Sequence, residues 1–289
     1  MVLIPAVSAL LAQHCLGKAP KQLNLLLHGN PSRDFFFEWP DSLLKQKVSI
    51  AAFFLQTHEV SNAQWRRFYA HQLQKFGPEA ALAFLPDTTV WQQDFPEAFL
   101  SPMMYYYYSH PAFDHYPVVG VSWEQALAYC AWHTDMHHQE GKSPGAAFRL
   151  PTQAEWEYAA RAGNVEGEYP WPGKTLSEGK LHKPFLDNFG AILDKEGIRV
   201  KDFIDDGFAF TNPPQSFPPN GFGLYDMGGN VAEWVQDDFL AEAQSTWRLC
   251  KGGSWAWGPG YLQTGVSLAF PSQARNSCLG FRVARSSIE

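Results

Sequence analysis

The stretch Phe217–Trp234, FPPNGFGLYDMGGNVAEW, limits what this chain can fold into more than any other segment. It is dense in glycine and aromatic residues, and it carries two carboxylates, Asp226 and Glu233. Their spacing suits a single loop folded around a hard cation, which takes oxygen ligands from carboxylates and carbonyls. The whole chain has 21 Pro and 23 Gly, so much of it must lie in turns and irregular connections. Such a chain still needs a core, and 11 Trp, 22 Phe and 11 Tyr among 289 residues supply one. Disorder is excluded on that ground.

Charge and segment length exclude further classes. The formal net charge is -7 and no basic run occurs, which argues against a nucleic-acid partner. No apolar stretch is long enough to cross a bilayer. Met1–Leu11 is apolar but lacks the basic residues that open a secretory leader, and no signal is visible. Cys15 follows Ala12-Gln13-His14, where a lipidated cysteine wants small residues, so the chain reads as starting at or near the folded domain. The other cysteines, Cys130, Cys250 and Cys278, form no C-x-x-C pair. One disulfide among them is open to the chain in an oxidising compartment.

Several elements are legible in order. Val48–Leu55 has the β-branched and aromatic pattern of a strand. Ser61 or Asn62 caps a helix over Ala63–Gln72, with Trp65, Phe68 and Tyr69 on its apolar side. Residues 85–116 form a long aromatic, proline-marked connection that includes Tyr105–Tyr108. Pro117–Val121 reads as a short buried strand, and Ser122 as the cap of a helix running through Trp132. Thr152 and Glu155 make a capping box for a helix over Gln153–Ala162, which Gly163 stops. Residues 164–219 look mostly irregular, and Arg248–Trp255 and Gly280–Ala284 read as strands. The sum is a single α+β domain over residues 1–289, with an irregular part at 1–47.

Six segments carry a resemblance. Glu59–Trp65 (EVSNAQW), Pro117–Trp123 (PVVGVSW), Arg149–Gly163 (RLPTQAEWEYAARAG), Phe217–Trp234, Lys251–Trp255 (KGGSW) and Leu279–Val283 (LGFRV) stand in the order found in the formylglycine-generating enzyme family. The resemblance runs from about Val48 to the end. It implies a compact α+β fold related to C-type lectins, with little regular secondary structure. Within the family, Leu85–Pro96 and Met104–Tyr116 resemble the gliding-motility lipoproteins of type K and type J, which belong to the type IX secretion machinery.

The resemblance also implies sites. Family enzymes oxidise a substrate cysteine with copper held by two thiolates, a soft ligand set suited to Cu(I). Those positions fall here on Trp257 and Leu262, counted from Ser254 of the glycine motif, so the expectation is a chain that is not an enzyme. Two structural calcium sites are implied. One uses Asp226, the carbonyls of Gly229 and Val231, and Glu233. The other uses Asn188 and the carbonyl of Phe189 with Asp206 and the carbonyl of Phe208. The plainer reading is that Asp226 and Glu233 only cap turns.

Other groups read as structural. His133 and His137 have the spacing of a zinc pair, but their polar surroundings favour a solvated helix end. Glu155 and Glu157 point to different helix faces, and Glu155 is simply a cap. Met103, Met104 and Tyr105–Tyr108 suit either a sticky surface or a buried connection. The expected function is a non-catalytic scaffold subunit of an envelope secretion or gliding complex, placed in the periplasm or on the outer membrane. It would bind protein partners through the insertion, with Tyr105 and Tyr106 as candidate contacts, and would assemble as a homo- or hetero-oligomer. The alternative is a lectin-like module holding a glycan or peptide at Ser254, Trp255, Trp257 and Tyr261. An enzyme with altered chemistry is the third reading.

Overall fold

Three helices begin at the hydroxyl residues that the sequence marks for them. In the computed structural model the helices are α1 (Asn62–Ala81), α2 (Val90–Asp94), α3 (Pro102–Tyr106), α4 (Trp123–Gln139) and α5 (Gln153–Ala160). Ser61, Ser122 and Thr152 each accept from the backbone N–H three residues on. The side chains of Gln64, Gln125 and Glu155 reach back to the cap N–H groups. Each box satisfies two donors that a helix start otherwise leaves without partners. The described residues are 1–12, 21–22, 36–38, 45–94, 102–141, 145, 147–164, 166–173, 175–176, 185–190, 192–193, 199–201, 204–239 and 246–287; for 7–12, 21–22, 36–38, 45–47, 94, 192–193 and 199–201 only the backbone is considered.

The strands are β1 (Val2–Ile4), β2 (Val7–Ala12), β3 (Lys21–Gln22), β4 (Phe36–Glu38), β5 (Lys45–Ile50), β6 (Phe53–Leu55) and β7 (Phe148–Arg149). They continue with β8 (Ile192–Leu193), β9 (Arg199–Lys201), β10 (Ala232–Asp238), β11 (Trp247–Lys251), β12 (Ser267–Pro271), β13 (Leu279–Gly280) and β14 (Ala284–Ser286). One sheet runs β13-β10-β11-β12-β4-β3 and another β1-β6-β14-β7, with two further strand pairs, β2-β5 and β8-β9. Strand β10 lies between antiparallel β11 and parallel β13. The architecture is α+β, as expected.

Several sequence expectations need correction. The N-terminal part, read as irregular, supplies β1 to β4. Val48–Leu55 is not one strand: it breaks at Ala51-Ala52, with β5 before the break paired to β2 and β6 after it paired to β1 and β14. Pro117–Val121 is buried but makes only a single bridge, Ser61 to Pro117. It threads a gap too narrow for a side chain, since a Cβ at Gly120 would lie 2.3 Å from the Asp87 carbonyl oxygen. Helix α1 continues past Gln72 to Ala81, kinked at Gly77 where φ is +81° before Pro78. Helix α4 continues past Trp132, and α5 ends at Ala160, two residues early. The motif Phe217–Trp234 is not all loop, because its last three residues open β10. Cys130, Cys250 and Cys278 are buried free thiols, so no disulfide joins them. Cys15 lies outside the described residues.

The core shows why aromatic residues are so numerous. Trp65 packs on Phe68, Tyr129 and Phe281, which joins α1 and α4 to the C-terminal segment. The described parts of the 85–116 connection are anchored in the core: Trp91 contacts Tyr107, Phe210 and Trp255. The tyrosine run is split by burial. Tyr107 is buried and donates its hydroxyl to the Pro117 carbonyl at 2.6 Å, while Tyr105 and Tyr106 are each 54% exposed.

Candidate functional site: a buried carboxylate and amide cluster

Asp226 and Asn230 both take positive φ, 53° and 52°, a backbone state that Asp and Asn tolerate better than most residues. Between them Gly229, at φ +130°, passes so close to the 187–188 segment that a Cβ there would lie 2.2 Å from the Asn188 carbonyl oxygen. That approach turns the motif inward and gathers side chains from four parts of the chain.

Three asparagines tie the cluster together. Asn188 donates from Nδ2 to the Phe210 carbonyl at 2.6 Å and to Asn212 Oδ1 at 3.0 Å. Asn212 donates to Asp226 Oδ1 at 3.0 Å, and its backbone N–H donates to Asn230 Oδ1 at 2.9 Å. Asn230 donates to Glu59 Oε1 at 3.1 Å. Asp187 accepts the N–H groups of Asn188 at 2.9 Å and of Gly228 at 3.1 Å. Within the cluster, two acceptor atoms are buried with no hydrogen-bond partner among the described residues, Asp226 Oδ2 and Asn188 Oδ1.

Glu233 stands on the other side of Asp226 and is spoken for. Its Oε1 accepts from Arg282 Nη2 at 2.6 Å, and both its oxygens lie 2.8 Å from Arg282 Nε. Trp156 donates Nε1 to Oε2 at 2.7 Å. Arg282 also donates to the carbonyls of Gln56, Thr57, Tyr225 and Asp226. A second buried ionic group follows along β11, where Glu157 lies 2.7 Å from Arg161 and 3.4 Å from Lys251.

The electrostatics follow from this count. Glu59, Asp187, Asp226 and Glu233 are all buried, with Arg282 as the cation among them. Burial first, and then the Asp226 charge, raise both Glu59 and Asp187 well above the ordinary carboxylate range. Burial pushes Asp226 up to about 6, against the Asn212 hydrogen bond and the Arg282 charge, which pull it down. Unpaired ionised carboxylates in a low-dielectric interior are costly, so the cluster demands a proton or a cation.

The implied calcium ligands can be tested against this geometry. Asp226 fits, because it keeps an unpartnered oxygen. Glu233 fits less well, because both its oxygens already hold Arg282 and Trp156. In the second set, Asn188 fits through its unpartnered Oδ1. Asp206 lies beside it, accepting the N–H groups of Phe189 at 3.3 Å and Phe208 at 3.1 Å, so that set is brought together. Among the described residues no three His, Cys, Asp or Glu side chains form a metal-holding group. Sequence reasoning missed Asp187, Asn212, Asn230 and Arg282. The one signal pointing to them is that polar residues sit inside otherwise apolar or glycine-rich runs.

The copper positions are filled. Trp257 is 2% exposed and stacks on Phe270 at 6.1 Å, and Leu262 is fully buried with Phe185 and Phe189. Trp255 is buried against Trp91 and Phe210 and donates Nε1 to the Ser277 carbonyl. Ser254 is buried and Tyr261 half-buried. The faces of Trp255 and Trp257 that a sugar would stack on are therefore covered by protein. Burial also raises the thiol of Cys250, far from thiolate reactivity.

The end of α4 is solvated, as expected, with His138 and Gln139 exposed, but His133 and His137 are half-buried. His133 and His137 both pack on Phe148, with ring centroids at 4.2 and 4.6 Å. Burial, with the His137 charge, lowers His133 to about 4.

Comparison with known proteins identifies the family. A model of the sulfatase-modifying factor enzyme 1-like domain matches residues 13–287. The chain belongs to that family. It is 32% identical over 209 residues to the formylglycine-generating enzyme of Mus musculus, covering 66% of this chain and 50% of that protein. It is 40% identical over 141 residues to the inactive C-alpha-formylglycine-generating enzyme 2 of Bos taurus, covering 48% of this chain and 38% of that protein. The chain thus spans half or less of the length of these curated relatives. Among solved structures, the variable protein 1 of Treponema denticola superposes with a TM-score of 0.59 at 19% identity, covering 99% of this chain and 95% of that one. That likeness supports the shared fold. The family includes proteins named as enzymes and proteins named as inactive, and no helix among the described residues is long and apolar enough to cross a membrane.

Proposed function

We propose that this chain is a non-catalytic member of its family, a scaffold subunit of a cell-envelope secretion or gliding assembly of the type IX kind, held rigid by structural calcium. The observation that carries the non-catalytic part is the pair Trp257 and Leu262. Neither side chain binds copper or attacks a substrate, and both are packed into the core. The similarity to a relative named as inactive supports the same reading. Calcium would be held by oxygens of Asp226 with the Gly229 and Val231 carbonyls, and by Asn188 and Asp206 with the Phe189 and Phe208 carbonyls. When bound, it would neutralise buried carboxylates and fix the irregular loops. The partner surface is the exposed outer part of the insertion, where Tyr105 and Tyr106 leave their rings in solvent while Trp91 and Tyr107 anchor the segment beneath them.

The lectin-like alternative is less well supported, because Trp255 and Trp257 present no open face. The test is affinity capture of the tagged protein from its native envelope, followed by mass spectrometry. Stoichiometric recovery of secretion or motility subunits, lost in a Tyr105→Ala, Tyr106→Ala double variant, is the expected result. Recovery of the protein by itself would overturn the scaffold reading.

A further inference from the structure

His133 and His137 stand four residues apart in the last two turns of α4. That spacing sets the two side chains one above the other on a single helix face. The function proposed above uses neither of them. Both are half-buried, and both are clamped by the same ring. His133 stacks on Tyr129, with centroids 5.8 Å apart, and meets Phe148 at 4.2 Å. His137 meets Phe148 at 4.6 Å. Phe148 is itself fixed, since it pairs with Arg285 in the sheet and its N–H donates to Thr134 Oγ1 at 2.8 Å. Much of the rotamer freedom that two histidines would lose on taking up a shared ligand is therefore lost already on folding.

The separation of the two imidazoles has the length that a shared metal requires. Their ring centroids lie 5.0 Å apart. A tetrahedral metal that binds two imidazoles at about 2.0–2.1 Å per nitrogen holds the ring centres roughly 5 Å apart. The electrostatics agree with the geometry. Burial first, and then the His137 charge, lower His133 to about 4, so at neutral pH it is in the uncharged form that ligates metals. The pair lies at the C-terminal end of a helix, where the dipole attracts cations, and the cap residue Glu140 adds negative charge. Arg67 of α1 opposes it. Among the described residues no third side chain completes a protein ligand set, so the other coordination positions fall to water.

We infer that His133 and His137 together bind a divalent transition metal of the class that prefers imidazole, zinc or copper(II), with water in the remaining positions. The site is independent of the calcium reading, because calcium takes oxygen ligands and this pair offers nitrogen. Phe148 would act as the wall that keeps both rings turned to the same point.

Calorimetric titration of the full chain, free of any polyhistidine tag, with zinc chloride tests the site. Excess calcium in the buffer keeps oxygen-rich positions out of the measurement. The parent is expected to take up one equivalent with micromolar affinity, and a parent that binds no zinc overturns the inference. His137→Gln is expected to weaken zinc by tenfold or more. His138→Gln is the control, because its exposed ring lies about 100° further round the helix, and its affinity is expected to stay within about threefold of the parent's. Zinc binding that His137→Gln leaves unchanged, or that His138→Gln weakens equally, overturns the site. His133→Gln is expected to match His137→Gln, and parent-like affinity in it overturns the site as well. If that variant does not fold, the electron paramagnetic resonance spectrum of copper(II) in the parent decides. Coupling to two imidazole nitrogens, reduced to one in His137→Gln, supports the pair, and coupling to one nitrogen or none in the parent overturns it.

Discussion

Arg282 shows most clearly how one residue can hold several segments together. Its side chain is fully buried and donates to Glu233 and to four backbone carbonyls, so it joins the 56–59 segment, the Asp226 turn and β10. Arg282→Met would leave Glu233 charged and buried, with only Trp156 for a partner. Breaking a buried ion pair on one side costs about 3–5 kcal/mol. Urea denaturation should show a loss of that order, and Arg282→Met combined with Glu233→Met should recover part of it. A loss below about 1 kcal/mol in the single variant would mean that the pair contributes little. None of this was legible from residues 279–283, which read only as a strand-like piece of a family motif. The pairing spans 49 positions of sequence, and nothing local to either residue announces it. By contrast, Asp226 was legible, because a carboxylate among glycines in a turn has few apolar roles to play.

At the scale of elements, the helix starts were legible because a cap is a local device, settled within four residues. Ser122 is a good case. Its hydroxyl accepts from Gln125, whose own amide donates to the Ala83 and Leu85 carbonyls and so docks α4 against the end of α1. Ser122→Ala should cost about 0.5–2 kcal/mol in chemical denaturation. An unchanged midpoint would show that the tertiary contacts of Gln125 carry the helix start. The far end of α4 carries a pH dependence. His133, packed between Tyr129 and Phe148, is held at about 4, below its ordinary value of 6.5. The unfolded chain takes up a proton between those pH values that the folded chain refuses. The stability from neutral His133 is thus fully present above about pH 6.5 and is lost as pH falls towards 4. In denaturation series at pH 7.5 and 4.5, His133→Leu should lose less stability on acidification than the parent does. Parallel losses would remove His133 as the source. The strands were far less legible than the helices. In β10 the first four residues, Ala232–Val235, are all buried, so no alternation marks them, and the preceding Gly228-Gly229-Asn230 disguises the run as loop. Strand β12, also buried along four of its five residues, was missed for the same reason.

Across the whole molecule, two buried regions reach opposite electrical results. At the copper positions two apolar side chains close the site, and the surrounding aromatic residues leave it electrically silent. At the Asp226 cluster the chain keeps its polar groups and leaves the charge open. Glu59, Asp187, Asp226 and Glu233 face Arg282 as their one buried cation among the described residues, so the cluster needs protons or a cation to offset its carboxylates. Long irregular segments run beside it, including 204–231, and such segments cannot satisfy all their own backbone groups. A cation that binds only the folded form would stabilise it by about 2.7 kcal/mol at a hundredfold excess over Kd. For a chain of this size each kcal/mol shifts the melting temperature by about 2–4 °C, so removing calcium should lower it on the order of 5–10 °C. Differential scanning calorimetry before and after dialysis against EDTA measures this, and calcium, but not magnesium at the same concentration, should restore the lost stability, because magnesium demands a smaller octahedral cage. A melting temperature indifferent to EDTA would mean that protons neutralise the cluster. In that case the parent protein should be more stable at pH 5 than at pH 8, since raised carboxylates lose their contribution as pH rises through their folded values, of which Asp226 lies at about 6.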